Sequence, residues 1–343
     1  MAAFFETLKR WHDADTKFAL ARVVKTWGSA PRPAGSMMIV SQAGEMCGSV
    51  SGGCVETAVV EAAQQVIGQR ESQLLHFGVS NDDAWAVGLA CGGQVEVFVE
   101  PWLSNDPVNL ALLPIWQSRQ IAMLTTRIDG LNDAHLLLTA NGERIGSTGK
   151  AELDIQFSQR YPADRFPRSA STETIGDAIY FAHPFLPPPR LVIVGGVHIA
   201  QPLVTFAKAL DFEVLLVDPR TAFGNRERFP QVDQIFNEWP DEAIAKIGID
   251  QNSFFVLLSH DAKIDDPALL ALLGRQPAYV GALGSRKTHK KRMTRLLEAG
   301  LSDQQIARIH APIGLKIGAV SPAQIAASII AEIISVQQNG AKG

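Results

Sequence analysis

Cysteine is scarce in this chain: 343 residues hold three, Cys47, Cys54 and Cys91. An odd count, with no apparent secretion signal, argues against disulfide staples and for thiols kept reduced in a cytoplasmic protein. Zinc spacing is lacking too, because Cys47 and Cys54 are seven apart and no Cys-x-x-Cys pair occurs. No apolar run approaches the ~20 residues that cross a bilayer, since charges, Gly or Pro interrupt every one. The first ten residues carry Glu6, Lys9 and Arg10 among apolar neighbours, which reads as an amphipathic helix rather than a signal peptide. A membrane is therefore not an expected partner. Nor is nucleic acid, because 31 basic residues face 35 acidic ones and no dense Lys/Arg block could neutralise a run of phosphates.

What is present is ample apolar material, 46% of the residues, in a chain too long for one ordinary core. Two domains are expected. The fold class is α/β: an N-terminal mixed α+β domain over residues 1–185, then a Rossmann-like doubly wound parallel sheet over residues 190–343. In the first, short β-like runs at 17–24, 36–40 and 94–100 alternate with glycine-dense loops. Val95, Val97 and Val99 share one strand face. From Cys54 to Ile67, apolar residues recur at three- and four-residue intervals, the stripe of a helix. Runs at 120–126 and 134–139 look like strands, but residues 101–185 as a whole suggest no separate role. The prolines of 184–189 deny helix and read as a spacer. Beyond them, apolar strands at 190–194, 213–217, 253–258 and 278–280 alternate with helices at 198–210, 266–273 and 287–299, as a sheet buried on both faces requires.

The chemistry-bearing residues sit in the glycine loops. Gly48-Ser-Val-Ser-Gly52-Gly53-Cys54 delivers a cysteine to a helix start, where the macrodipole favours thiolate. Gly88-Leu-Ala-Cys91-Gly92-Gly93 sets a second thiol before a strand. Two such thiols could offer soft sulfur to a metal, or one could carry a persulfide, whereas Cys47 reads as a small core residue. In Gly28-Ser-Ala-Pro-Arg32-Pro, the prolines present Arg32 to an anion. In the second domain, Gly195, Gly196 and His198 form the first strand-to-helix turn, and Asp218 ends the next strand, where a carboxylate meets a ribose. Val197 stands where a dinucleotide fingerprint has its middle glycine, which obstructs close approach of a pyrophosphate. Gly284-Ser285-Arg286-Lys287 is a second anion-receiving turn, followed by a solvated basic helix face at Lys290–Arg292. Two functions remain open on these residues: a carrier of an anionic, metal-bearing ligand, and an NAD(P)-dependent oxidoreductase.

Several of these motifs, in this order, resemble the XdhC/CoxI family of xanthine dehydrogenase accessory proteins. The resemblance rests on Gly28–Arg32, Gly48–Glu56, Cys91–Gly93, Gly195–Ala200, Asp218–Arg220, Asn225–Pro230, Gly281–Lys287 and His310–Gly314. It implies a chaperone that binds molybdenum cofactor, supports the exchange of an oxo for a sulfido ligand, and inserts the cofactor into a xanthine-dehydrogenase-type molybdenum hydroxylase. It further implies a cysteine, Cys54 or Cys91, beside the molybdenum, and a cysteine desulfurase as a conceivable sulfur donor. Val197 departs from the family's usual glycine and puts nucleotide binding at the Gly195 turn in question. A homodimer is the base-rate expectation.

Overall fold

The computed structural model describes residues 2–28, 30, 32–53, 55–78, 93–129, 134–163 and 166–339. Contacts divide the chain into Met1–Pro187 and Pro188–Gly343.

The first unit opens with α1 (Ala2–Asp13), then β1 (Phe18–Trp27), β2 (Met37–Ser41), β3 (Met46–Gly48), α2 (Glu56–Gln69), β4 (Gln73–Phe77) and β5 (Gln94–Pro101). These strands form an antiparallel sheet in the order β3-β2-β1-β5-β4. β1 is central and buried from Phe18 to Val24, so its apolar residues do not alternate with exposed polar ones, and Arg22 is buried among them. The buried stripe of α2, Val59, Ala62, Ala63, Val66 and Ile67, packs onto one face of this sheet with Ala19, Ala21, Val23, Val97 and Val99. The helix ends at Arg70, which adopts the left-handed conformation of a helix stop.

The chain then runs through α3 (Pro107–Gln117), β6 (Ala122–Arg127), β7 (His135–Thr139), β8 (Arg144–Gly146), α4 (Ala151–Arg160), β9 (Ser171–Ile175) and β10 (Ala178–Phe185). Its second antiparallel sheet has the order β8-β7-β6-β10-β9. Asp106 caps α3 by accepting from the amides of Val108 and Asn109. The region from 101 to 185, in which the sequence displayed only the strands at 120–126 and 134–139, is thus a complete α+β layer. Pro184 and Phe185, read as spacer, instead finish β10 opposite Met123 and Ala122.

The second unit contains β11 (Arg190–Val194), α5 (Ala200–Ala209), β12 (Glu213–Val217), β13 (Gln234–Phe236), α6 (Pro240–Ile247), β14 (Ser253–Leu257) and α7 (Ala262–Leu273). It closes with β15 (Tyr279–Ala282), α8 (Arg286–Glu298), α9 (Asp303–Ile306), β16 (Ile309–His310) and α10 (Pro322–Asn339). All its strand pairs are parallel, in the order β13-β12-β11-β14-β15-β16. Residue parity divides the faces. Leu191, Ile193, Val214, Leu216, Phe254 and Val256 pack with α5 and α10, while Val192, Val194, Leu215, Val217, Phe255 and Leu257 pack with α6, α7 and α8. This is the Rossmann-like doubly wound sheet expected of the sequence. α7 starts four residues before the expected 266, because the Asp261 side chain accepts from the amide of Lys263.

Candidate functional site

The antiparallel register of the first sheet fixes where its loops emerge. β1 ends at Trp27, which pairs with Gln94 at the start of β5, and Phe77 at the end of β4 pairs with Val95. β3 ends at Gly48 opposite Met38, near the register position where Met37 faces Arg22. Hence the loops after Trp27, after Gly48 and after Phe77 all leave from one end of one sheet. Arg32, Gly52, Gly53 and Gly93 belong to them; Arg32, Gly52 and Gly53 are exposed and Gly93 is buried. Cys54, Cys91 and Gly92 lie outside the described residues. Sequence reasoning passed over Trp27, whose side chain stands 69% exposed at this same end.

Glu56 organises the loop from Gly48 to Val55. Its carboxylate accepts from the Ser49 hydroxyl at 3.1 Å, the Ser51 amide at 2.9 Å, the Ser51 hydroxyl at 2.6 Å and the Gly53 amide at 2.9 Å. Burial pulls its pKa upward, but the donors from Ser51 and Ser49 outweigh that and hold it below the usual carboxylate range. Val55, at the position preceding α2, makes no side-chain cap. The helix start is closed from inside by the carboxylate instead. Gly53 has φ +108° and open space where a side chain would go. Gly48 is different: a Cβ there would sit 2.3 Å from the Met37 carbonyl oxygen, so only glycine fits. Cys47 packs half-buried against the cluster of Phe4, Leu8 and Ile39, consistent with a core role.

The turn of the second unit is closed upon itself. The Gly195 amide donates to Val217 O, and the Gly196 amide to an Asp218 carboxylate oxygen at 2.8 Å. Asp218, fully buried, also accepts from the Arg220 amide at 3.0 Å and from Arg220 Nε and Nη2 at 2.9 and 2.8 Å. Burial pushes its pKa up, but Arg220 and these amides more than offset that, leaving it ionised. Arg228 Nη1 donates to the carbonyls of Gly196 and Phe223, and Arg220 stacks on the Phe223 ring at 4.1 Å. The acid that would hold a ribose is therefore already paired on both oxygens. Val197 is half-buried against the sheet core, and His198 is exposed.

At the neighbouring strand end, Ser285 caps α8 by accepting from the Thr288 amide at 3.1 Å, and Arg286 and Lys287 are exposed. Arg292 corrects the expectation of a solvated face at 290–292. It is buried, donating to Leu283 O at 2.9 Å and reaching Asp265 at 3.3 Å. His289 three residues earlier and Leu296 four residues later share its inward stripe, so position 292 turns toward the sheet while Lys290 and Lys291 stay exposed. Burial raises the Asp265 pKa, opposed by Ser259 and Arg292. The His310–Gly314 motif is likewise held by a carboxylate: Glu332 of α10 accepts from the Gly314 amide at 2.9 Å and from the Tyr279 hydroxyl, and lies 3.4 Å from His310.

A groove of about 560 Å³ lined by Lys17, Gln42, Arg70 and Trp102 lies at the opposite end of the first sheet and contains none of the motif residues. Among the described residues, no cluster of three or more His, Cys, Asp or Glu is arranged to hold a metal ion. Among them, too, no helix is long and apolar enough to cross a membrane.

Comparison with known proteins gives consistent matches. Residues 11–78 match the XdhC and CoxI family, and residues 191–333 match the XdhC Rossmann domain. The chain is 28% identical to a probable xanthine dehydrogenase subunit of Bacillus subtilis, over 98% of both chains. It is 27% identical to the molybdenum cofactor insertion chaperone PaoD of Escherichia coli, over 93% of this chain and 83% of that one. Its fold resembles a crystal structure described as a xanthine dehydrogenase from Bacillus halodurans, with a TM-score of 0.75 and 24% identity over 98% and 96% of the two chains.

Proposed function

We propose, because this chain belongs to the XdhC and CoxI family, that it acts in maturation of the molybdenum cofactor and inserts it into a client enzyme. One of its relatives bears the name of a molybdenum cofactor insertion chaperone. The client is a molybdenum hydroxylase of xanthine-dehydrogenase type, and the cofactor is cargo rather than a resident group. In the finer reading, the protein works in the cytoplasm as a homodimer and shelters the cofactor while a cysteine desulfurase supplies sulfur.

One observation supports the proposal: the register of the first sheet sends the segments that hold Arg32, Gly52-Gly53 and Gly93 out of a single end. The residues fit an anionic, flat, sulfur-seeking cargo. Arg32 is an exposed cation, Trp27 offers an exposed ring, Gly53 leaves room for close approach, and the two thiols are soft ligands. The turn of Gly195, Gly196 and His198 contributes less in this reading, because Asp218 is already paired with Arg220. That pairing also weighs against the oxidoreductase alternative, and a nucleotide at this turn is not part of the proposal. Within the second unit by itself, Ser285, Arg286 and Lys287 stand exposed at the start of α8 as groups suited to an anion.

The test is molybdenum and pterin analysis of protein purified from a cofactor-producing host, beside Cys54→Ala and Cys91→Ala. Reduced occupancy is expected in at least one variant. Undiminished occupancy in both would remove the thiols from the binding site, and no pterin in the parent protein would remove the carrier role.

A further inference from the structure

The two sheets of the first unit share one strand order and one connectivity. Each runs strand-strand-strand-helix-strand-strand, with the first strand central and the helix between the third and fourth. Register agrees in detail. Met38 faces Gly48 in one sheet and Leu136 faces Gly146 in the other. Arg22 lies between Met37 and Phe98 in one, and Thr126 between His135 and Phe181 in the other. The side chain of Arg22 packs between Phe98 and Phe181, and donates to Thr126, its own register counterpart, at 2.9 Å.

Hydrogen bonds repeat as well, at a constant offset of 98 residues, from 48 to 146. The Ser41 hydroxyl accepts from the Glu45 amide at 3.1 Å, and the Thr139 hydroxyl from the Glu143 amide at 3.2 Å. Gly44 and Gly142 both have positive φ in the same hairpin turn. At Gly146, as at Gly48, φ is positive and a Cβ would collide with a carbonyl, here His135 O at 2.2 Å. Beyond it, Asp154 accepts from the Ser147 hydroxyl at 2.6 Å, the Thr148 amide at 2.8 Å and the Thr148 hydroxyl at 2.6 Å. Glu56 does the same for Ser49 and Ser51, and 56 plus 98 is 154 and 49 plus 98 is 147, while Ser51 and Thr148 stand one residue out of that offset.

We infer that residues 18–101 and 122–185 are two copies of one module, and that Glu56 is the positioning residue of the Cys54 loop, as Asp154 is of its cysteine-free counterpart. The second copy separates two roles that coincide in the first. Its carboxylate ties Ser147 and Thr148 ahead of α4, and position 152, the sequence equivalent of Cys54, is a glutamate, so the staple belongs to the module and does not depend on the thiol. Glu56 fixes Ser49, Ser51 and Gly53, the residues that lead up to Cys54 in sequence. This deepens the carrier reading, since it assigns what folds the segment ahead of one proposed thiol, but its test needs no cofactor.

The test is the pH profile of Cys54 alkylation by iodoacetamide in cofactor-free, full-length protein, read at each cysteine by peptide mass spectrometry. Glu56→Gln keeps the shape and removes the charge-assisted bonds; Glu56→Asp supplies the residue that the second copy uses; Asp154→Asn breaks the equivalent staple far from any motif cysteine in sequence. Glu56→Gln should change the Cys54 rate at neutral pH by about threefold to tenfold, the thiolate change that half a unit to one unit of thiol pKa produces. Glu56→Asp should restore part of the profile, and Asp154→Asn should leave it in place while lowering thermal stability. An unaltered Cys54 profile in Glu56→Gln overturns the assignment. So does an equal shift in Asp154→Asn, which would show that Cys54 responds only to the stability of the unit. Cofactor occupancy plays no part in either outcome.

Discussion

The loop from Gly48 to Glu56 and the turn from Gly195 to Ala200 look alike in sequence, each a pair of glycines ahead of a helix, yet the structure treats them oppositely. In the first, one carboxylate ties the base of the loop and leaves its tip exposed at Gly52 and Gly53. In the second, Asp218 takes the Gly196 amide inward, and Arg220, Phe223 and Arg228 cover what would have been the ligand side. A glycine pair before a helix therefore does not define a site. What matters is whether the nearest carboxylate folds the loop from behind or fills it from in front.

The sharpest way to break this comparison is at the glycines. Gly48→Ala should lose roughly 3 kcal/mol or more of stability in chemical denaturation, since it combines a positive φ with a 2.3 Å approach to backbone. Gly53→Ala, equally positive in φ but facing open space, should cost only about 1 kcal/mol. If the two were equally costly, the loop tip would be as closed as its base.

Arg220→Ala addresses the closed turn. It strands the buried Asp218 carboxylate, at a cost of about 3 kcal/mol. Calorimetry should also show the Asp218 contribution weakening: stability that a depressed carboxyl pKa supplies above the unfolded value, and loses as pH falls, should shrink. Val197→Gly restores the glycine of a dinucleotide fingerprint, yet no NADH binding should follow in a fluorescence titration, because Asp218 remains paired. Tight binding would mean that the side chain at 197 alone had closed the turn.

An effect confined to acid pH comes from the interior shared by the two sheets of the first unit. Burial, aided by the Arg22 charge, pushes the His183 pKa down to about 3. A depressed histidine stays neutral when folded but takes a proton when unfolded, so stability is lost as pH falls below the unfolded value of 6.5. At pH 4.5 that single group costs about 3 kcal/mol. His183→Gln should flatten the corresponding part of the curve of stability against pH.

Much of the fold was legible in the residues. Continuous apolar runs at 190–194, 213–217 and 253–258 announced a sheet buried on both faces, and the periodic stripe after Cys54 announced α2. Between 101 and 185 only the strands at 120–126 and 134–139 were, because the repeat of the first module survives there in few identities, Gly44 with Gly142, Glu45 with Glu143, Gly48 with Gly146 and Ser49 with Ser147. A search for self-similarity at fixed offset would have found them. Of the site, the sequence displayed the motif loops but not Trp27 or Glu56, whose importance lies in where strand register and helix direction put them.

Composition and local pattern by themselves determined the class of fold, the strand and helix alternation of the second unit, and which residues could carry soft or anionic-ligand chemistry, because those depend on side-chain type and on periods of two and 3.6. Only tertiary structure decided which glycine turn stays open, since that depends on carboxylates and guanidinium groups brought in by strand register and chain folding. Position along the chain cannot show whether Asp218 meets a ribose or Arg220; only the packing around a buried charge, which must find a partner, makes that choice.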